Sequence, residues 1–362
     1  MRCDFGAVGA SPRLGHSCGI SETGLFYYGA LIRASCAAMR RMLEKEGAMA
    51  KVILWGDTAT EWYSQVVNLP SKVVNLTDLP DGDVRPVPGV RDYLAQHFPF
   101  LSRPYRLTVF RREDRCDMRD IRCHIAAASA REAPHYLVAS GVLAPSPELA
   151  LLQQSRGRSL LEVAAVAAAL CSAYALGPAG DLQKRALITS PERIALACRR
   201  HPDVFGCGTV CKAQKWVMPN AASPREAALA LVLSLPCRLG GYGLPKPELN
   251  VPLDLHERVR GAAVSSFYVA DLCWPNARLV VEYDSDAFHL TSDQQYRDAV
   301  KRMVLEEMKY RVLTVTRQQL NDPWEMDKVV RVIAPILGCQ FRIRCKDFRA
   351  KQLELWRAVG LR

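Results

Sequence analysis

The chain has 362 residues, enough for two or three domains that each bury a core of their own. With 49% hydrophobic and 23% charged residues it has the make-up of an ordinary soluble protein, which excludes an intrinsically disordered chain. A net charge of +11 points to a polyanionic partner, with nucleic acid the first to consider.

Residues 1–48 are rich in Gly and Ser and read as a loosely organised N-terminal segment, with a short helix-like piece around ALIRASCAAMRRMLEKEG. KVILW then reads as a strand, followed by a polar turn and a helical stretch through EWYSQVV. PYRLTVFRRE and IRCHIAAA alternate like strands, joined through the charged DRCDMRD. Residues 140–215 read as mainly helical, with SPE and ITSPE as helix-start signals. Within them LLEVAAVAAALCSAYAL, residues 160 to 176, is the most apolar run. It is short for a membrane span, rich in Ala and interrupted by Glu162, so it predicts a buried helix rather than a membrane anchor. The N-terminus carries no basic start followed by an apolar stretch and cleavage site, which predicts a cytoplasmic protein. Its 13 cysteines then read as mostly reduced thiols. Cys207 with Cys211, and Cys116 ahead of Cys123–His124, lack the second paired half that a zinc site requires.

Local order sharpens at Ser223. SPREAALALVLSL places Ser223 as N-cap, Pro224 at the first helical position and Glu226 three residues after the cap. Next come strands in ELNVPLDL, SSFYVADLCW and ARLVVEYD, a helix in SDQQYRDAVKRMVLEEMKY, a strand in RVLTVT and a helix opening at Asp322, Pro323 and Glu325. The order helix, three strands, helix, strand, helix predicts an α/β fold of the mixed-sheet kind. The boundaries expected are a mixed α/β to helical domain over 49–220, a second domain over 221–340 and a basic C-terminal helix over 341–362.

VVEYDSDAFHL puts Glu282, Asp284, Asp286 and His289 directly after an apolar strand. Strand alternation sets Val280, Glu282 and Asp284 on one face. If the PN turn holds Trp274 level with Ala277, Asp271 lies opposite Val280 and diagonal to Glu282, roughly 7–8 Å away between Cα atoms. Two carboxylates over that gap are candidate ligands for Mg²⁺ (or Mn²⁺), which takes few protein oxygens and activates water toward phosphates. His289 has the ordinary pKa of a general acid or base, and Asp298 on the next helix could orient it. Lys301, Arg302 and Arg311 are candidate DNA-backbone contacts.

ADLCW, VVEYDSDAFH and YRDAVKRMVLEEMKYRVLTVT together resemble the Vsr-like (very-short-patch-repair-like) endonucleases of the PD-(D/E)XK superfamily, over about residues 223 to 320. The resemblance implies an αβββαβ restriction-endonuclease-like core and metal-dependent DNA cleavage. It makes Asp271 the motif aspartate, Glu282 the E of E-x-K, His289 the catalytic histidine, Asp298 the helix aspartate and Glu226 the glutamate of the first core helix. Asp284 stands where the superfamily has lysine, so the lysine's charge is missing from its usual place. Residues 49 to 140 more faintly resemble AbiEi-like abortive-infection antitoxin proteins, through KVILWGDTATEW and the stretch from RLTVF to IRCHI, which implies a phage-defence or mobile-element setting.

Several of these residues have plainer roles open to them. Glu226 completes a capping box, Asp298 pairs at i,i+4 with Arg302, and Asp286 sits in a solvated loop. The tail FRIRCKDFRAKQLELWRAVGLR reads as an amphipathic helix with a solvated cationic face. Two other functions stay open: a non-catalytic DNA-binding regulator, antitoxin-like, with a degenerate nuclease fold, and a glycosyltransferase using Asp284–Asp286 as a DxD. The last predicts a parallel nucleotide-binding sheet ahead of Asp284.

Overall fold

The structure, a computed structural model, describes residues 52–78, 84–255, 267–284, 292–343 and 345–361. The N-terminal segment 1–48, Asp286 and His289 lie outside the described residues.

KVILW forms a strand, β1 (Val52–Leu54), buried at every position. It is an inner strand of a six-stranded mixed sheet that also contains β2 (Val73–Val74), β3 (Tyr105–Val109), β4 (Ile121–Ile125), β5 (His135–Ala139) and β6 (Val142–Pro145), in the order β2-β5-β6-β1-β3-β4. β1 runs parallel to β6 and antiparallel to β3. β3 and β4 pair parallel across the charged DRCDMRD connection. Strands buried on both faces read as continuous apolar runs, which is why VIL and VLAP stand out. Helix α1 (Gly56–Gln65) follows β1 directly, and α2 (Val90–His97) lies between β2 and β3.

The SPE and ITSPE signals give α3 (Pro147–Gln154), capped by Ser146, and α5 (Pro191–Arg200), capped by Ser190, with proline at the first helical position in both. Between them α4 (Leu160–Leu170) begins with a full capping box from Ser159 and Glu162. The apolar run does not stay helical to residue 176. It ends at Leu170, and Tyr174–Leu176 becomes β7, paired with β8 (Leu182–Lys184). Arg185 accounts for the stop, because its guanidinium takes Ala169 O and Ser172 O at the helix end and Tyr63 O at the end of α1. A cation there satisfies carbonyls that have no helical partner. The 140–215 region is mainly helical, as expected, with the short strands β6, β7 and β8 inside it. Helix α6 (Cys207–Ala213) completes it. Among the described residues no helix is long and apolar enough to cross a membrane.

From Ser223 the order of elements is the one read from the sequence: α7 (Pro224–Ser234), β9 (Glu248–Asp254), β10 (Phe267–Trp274), β11 (Leu279–Asp284), α8 (Ser292–Glu307), β12 (Arg311–Thr316), then a short α9 (Arg317–Asn321) and α10 (Pro323–Ile336). The four strands form a second mixed sheet in the order β12-β11-β10-β9, with β9, β10 and β11 antiparallel and β12 parallel to β11. The strands ahead of Asp284 are thus antiparallel, unlike the parallel sheet that a glycosyltransferase reading predicts.

The hairpin register differs from the expected one. Trp274 pairs with Leu279, and Leu272 with Val281. A 3₁₀ turn over Pro275–Ala277 and a left-handed Arg278 (φ 46°) take up four residues, so Asp271 falls level with Glu282 instead of diagonal to it. The alternation also breaks on β9 and β10. Leu249 and Leu272 pack into the main core, whereas Val251 and Ala270 pack with Leu305 of α8 on the other side. Asn250, in the left-handed region at φ 49°, is the pivot on β9, and Asp271 occupies the matching position on β10.

One continuous apolar core joins Leu54, Leu107 and Leu149 of the N-terminal part to Leu229, Leu272, Val281 and Ile333 of the C-terminal part. The basic tail forms α11 (Phe348–Ala358), which is more than a solvated helix: Phe348, Gln352, Leu355 and Trp356 are buried. Trp356 Nε1 donates to Leu320 O at 3.0 Å, Gln352 donates to Tyr242 Oη at 2.9 Å, and Arg349 pairs with the mostly buried Asp327.

Candidate functional site

At the kink in β10, two carboxylates meet. The ladder between β10 and β11 stops at Leu272 and Val281, and one position on, the Tyr283 N–H donates to Asp271 Oδ2 at 2.8 Å in place of a backbone carbonyl. Residues level across an antiparallel pair stand Cβ to Cβ at about 4.5–5.5 Å on one face, closer than the diagonal arrangement. The two acids picked out in the sequence lie near enough for the charge of Glu282 to act on Asp271.

Lys301, from the middle of α8, reaches this pair. Its Nζ lies 2.6 Å from Glu282 Oε2 and 2.7 Å from Val269 O. Both side chains are about four-fifths shielded, Lys301 at 22% and Glu282 at 20% exposure. The other oxygen, Glu282 Oε1, is buried with no hydrogen-bond partner. A buried carboxylate oxygen left without a donor is costly, and a bound cation or a proton removes the cost.

Electrostatics agree with this geometry. Burial, then the negative charges of Glu282 and Glu226, push the Asp271 carboxyl up to about 7. Burial also raises Glu282, against the opposing pull of Lys301. The Asp271 backbone N–H also acts to lower Glu282. Without a cation both acids hold their protons to higher pH than ordinary carboxyls, and the ammonium of Lys301 opposes this at Glu282.

Glu226 lies close enough to act on both acids, though it is fully engaged itself. Its Oε2 accepts from Ala222 N at 2.9 Å and from Asn250 Nδ2 at 2.8 Å, and its Oε1 accepts from Ser223 Oγ at 2.8 Å. The cap therefore reaches one residue further back than a standard capping box. Asn250 and Asn220 are locked to each other: Asn250 Nδ2 donates to Asn220 O, and Asn220 Nδ2 to Leu249 O and Asn250 O. Both are left-handed, at φ 49° and 76°, a region asparagine tolerates better than most residues. This clasp fixes the start of α7 against β9 beside the acids. The sequence reading passed over it, and over the role of Lys301.

The remaining described candidates make no hydrogen bond or ion pair to the two acids that the structure records. Asp284, half-buried at the end of β11, pairs with Thr316 in the parallel ladder. Asp298 is exposed on α8. Arg302 is tied to Thr314 Oγ1 at 2.9 Å, which bolts α8 to β12, and Arg311 is exposed at the start of β12. Cys116 Sγ and Cys123 Sγ lie 3.5 Å apart, and the neighbouring His124 stacks on Trp55 with ring centroids 4.9 Å apart.

Among the described residues no three His, Cys, Asp or Glu side chains are grouped so as to hold a metal by themselves. Asp271 and Glu282 nonetheless fit a hard divalent cation: two oxygen donors on one face, one of them orphaned, leave positions for water and a substrate oxygen. Compared with known proteins, the chain matches no family model, no curated protein and no solved structure.

Proposed function

We propose that residues 221–340 form a metal-dependent DNA endonuclease or nickase with a Vsr-like PD-(D/E)XK core, in which Asp271 and Glu282 hold Mg²⁺ or Mn²⁺. The observation that carries the reading is Glu282: buried, with one oxygen on Lys301 and the other on nothing, next to a second buried acid. An αβββαβ element order and the +11 charge of the chain support it. When bound, the cation would polarise the scissile phosphate and lower the pKa of an attacking water. Lys301 supplies the positive charge that Asp284 cannot supply from the third position of E-x-K. The helix delivers the ammonium to the same carboxylate that a strand lysine would neighbour. Its work is to hold Glu282 in its ionised form and to stabilise charge that develops on the phosphate. Glu226 keeps the negative field at the pair high, which favours cation binding over an empty, protonated site. His289 remains the proposed proton carrier, and Asp298 and Arg311 lie where a DNA backbone approaching α8 and β12 would meet them. The AbiEi-like likeness of residues 49 to 140 adds a phage-defence or mobile-element setting to the proposal.

The Lys301–Glu282 ion pair also favours a second reading. An ammonium that already neutralises Glu282 lets the fold persist without a cation, as a DNA-binding regulator would. Conversion of supercoiled plasmid separates the two, using purified protein in Mg²⁺ or Mn²⁺, the Glu282→Ala variant and an EDTA control. Cleavage by the wild type alone is expected. Equal cleavage by the variant, or salt-sensitive DNA binding with no cleavage and no metal requirement, would overturn the nuclease.

A further inference from the structure

A second feature, independent of the acid pair, lies in the N-terminal part. A cavity of about 620 Å³ opens between α1, the start of β3, α4 and β7, and touches Pro224 at the start of α7. That volume lies within the range of small-molecule sites. Arg103, Arg106 and Arg158 supply a cationic part of its lining, the wall, and Val166, Ala169 and Leu170 an apolar part, the floor.

The cationic wall is built in a particular way. Asp57, in the first turn of α1, takes Arg158 Nη2 on Oδ1 at 2.6 Å and Arg106 Nε on Oδ2 at 3.0 Å. One carboxylate therefore orients two guanidinium groups, which stay 35% and 40% exposed; Arg106 also has Nη1 at 3.5 Å from His124 Nε2. The other acid of the wall, Glu61, is committed to Ser102 through its backbone N–H and hydroxyl. Arg185 lines the cavity too, but it donates to Tyr63 O, Ala169 O and Ser172 O and has nothing to offer a ligand. With Arg185, four arginines against two carboxylates leave two net positive charges in the lining.

We propose that this cavity binds a small phosphorylated molecule with a ring of nucleoside size, its phosphate on Arg106 and Arg158 and its ring against Val166, Ala169 and Leu170. Paired guanidinium groups held in a fixed orientation match the oxygens of a phosphate better than flexible lysines would. An apolar floor of this size adds affinity only for a ligand with a body to bury, which distinguishes a nucleotide from free phosphate.

The test is isothermal titration calorimetry of the full chain with each of the four ribonucleoside 5′-monophosphates, with inorganic phosphate and the parent nucleosides as controls. At least one monophosphate is expected to bind at least tenfold more tightly than phosphate or its own nucleoside. Arg158→Gln, which removes a wall cation, and Ala169→Phe, which fills the floor, are each expected to weaken it tenfold or more. Thermal melting of both variants checks that the fold survives. Absence of binding by the wild type, equal binding of inorganic phosphate, or wild-type affinity in both folded variants would each overturn the proposal. None of these outcomes depends on DNA cleavage.

Discussion

Replacing Asp271 by asparagine removes the carboxyl that burial and its acidic neighbours push from its ordinary 3.8 up to about 7. A carboxyl raised on folding holds its proton more tightly in the fold. Its contribution to stability is therefore complete below about pH 4 and is lost as the pH rises through about 7. At ~1.36 kcal/mol per pH unit, the gap corresponds to about 4 kcal/mol for the metal-free protein. Glu282, raised in the same direction, adds to the trend. For a chain of this size 4 kcal/mol is worth about 5 °C in melting temperature. Melting curves at pH 5 and pH 8 for wild type and Asp271→Asn read this directly, because every other titrating group is common to both. Between pH 5 and pH 8 about 2.6 kcal/mol of this falls away, so the wild type is expected to lose about 3–4 °C more than the variant. Mg²⁺ in the millimolar range is expected to restore the wild type at pH 8 and to leave the variant unmoved. Equal pH dependence in the two proteins, or a wild type indifferent to Mg²⁺ at pH 8, would refute the picture of a buried acid pair awaiting a cation.

Other perturbations test the surrounding framework. Lys301→Met is expected to slow plasmid cleavage about 10²- to 10³-fold, the usual cost of one electrostatic stabiliser, with circular dichroism unchanged; wild-type rates would remove Lys301 from the site. Glu226→Gln takes away a charge that raises both acids, so the acidic limb of the cleavage rate against pH should move to lower pH. Arg185→Met takes a donor from Ser172 O, Tyr63 O and Ala169 O, of which the last two keep Val66 N and Ser172 as donors, and is expected to cost about 1–3 kcal/mol in urea unfolding. Gly240→Ala places a Cβ against the Lys351 carbonyl at a φ of 87°, and a loss of about 2 kcal/mol or more should appear in the same assay.

The elements from Ser223 onward were legible because each is announced locally: Ser-Pro and Asp-Pro caps, apolar runs of strand length, and a turn proline. So were the two acids, since a charged residue inside an apolar strand stands out by itself. What escaped was geometry set by backbone shape. The loop after Trp274 consumes four residues because Arg278 turns left-handed, and PN alone does not announce that. The change of face at Asn250 and Asp271 depends on a left-handed asparagine within a strand, where alternation is the natural assumption. Lys301 was noticed only as a cation, because a helix sequence does not say which of its faces meets which strand. In the 160–176 run the missing signal was Arg185, nine residues beyond it, whose guanidinium ends the helix.

The C-terminal helix has a consequence in time. Phe348, Leu355, Trp356 and Leu361 are part of the same core as Leu149, Leu229 and Val281. During synthesis these side chains emerge after the rest of that core, so the place that α11 fills stays open until α11 has left the ribosome. A ribosome that stalls before residue 348 therefore releases a chain whose main core lacks the cover that Phe348, Leu355 and Trp356 give it.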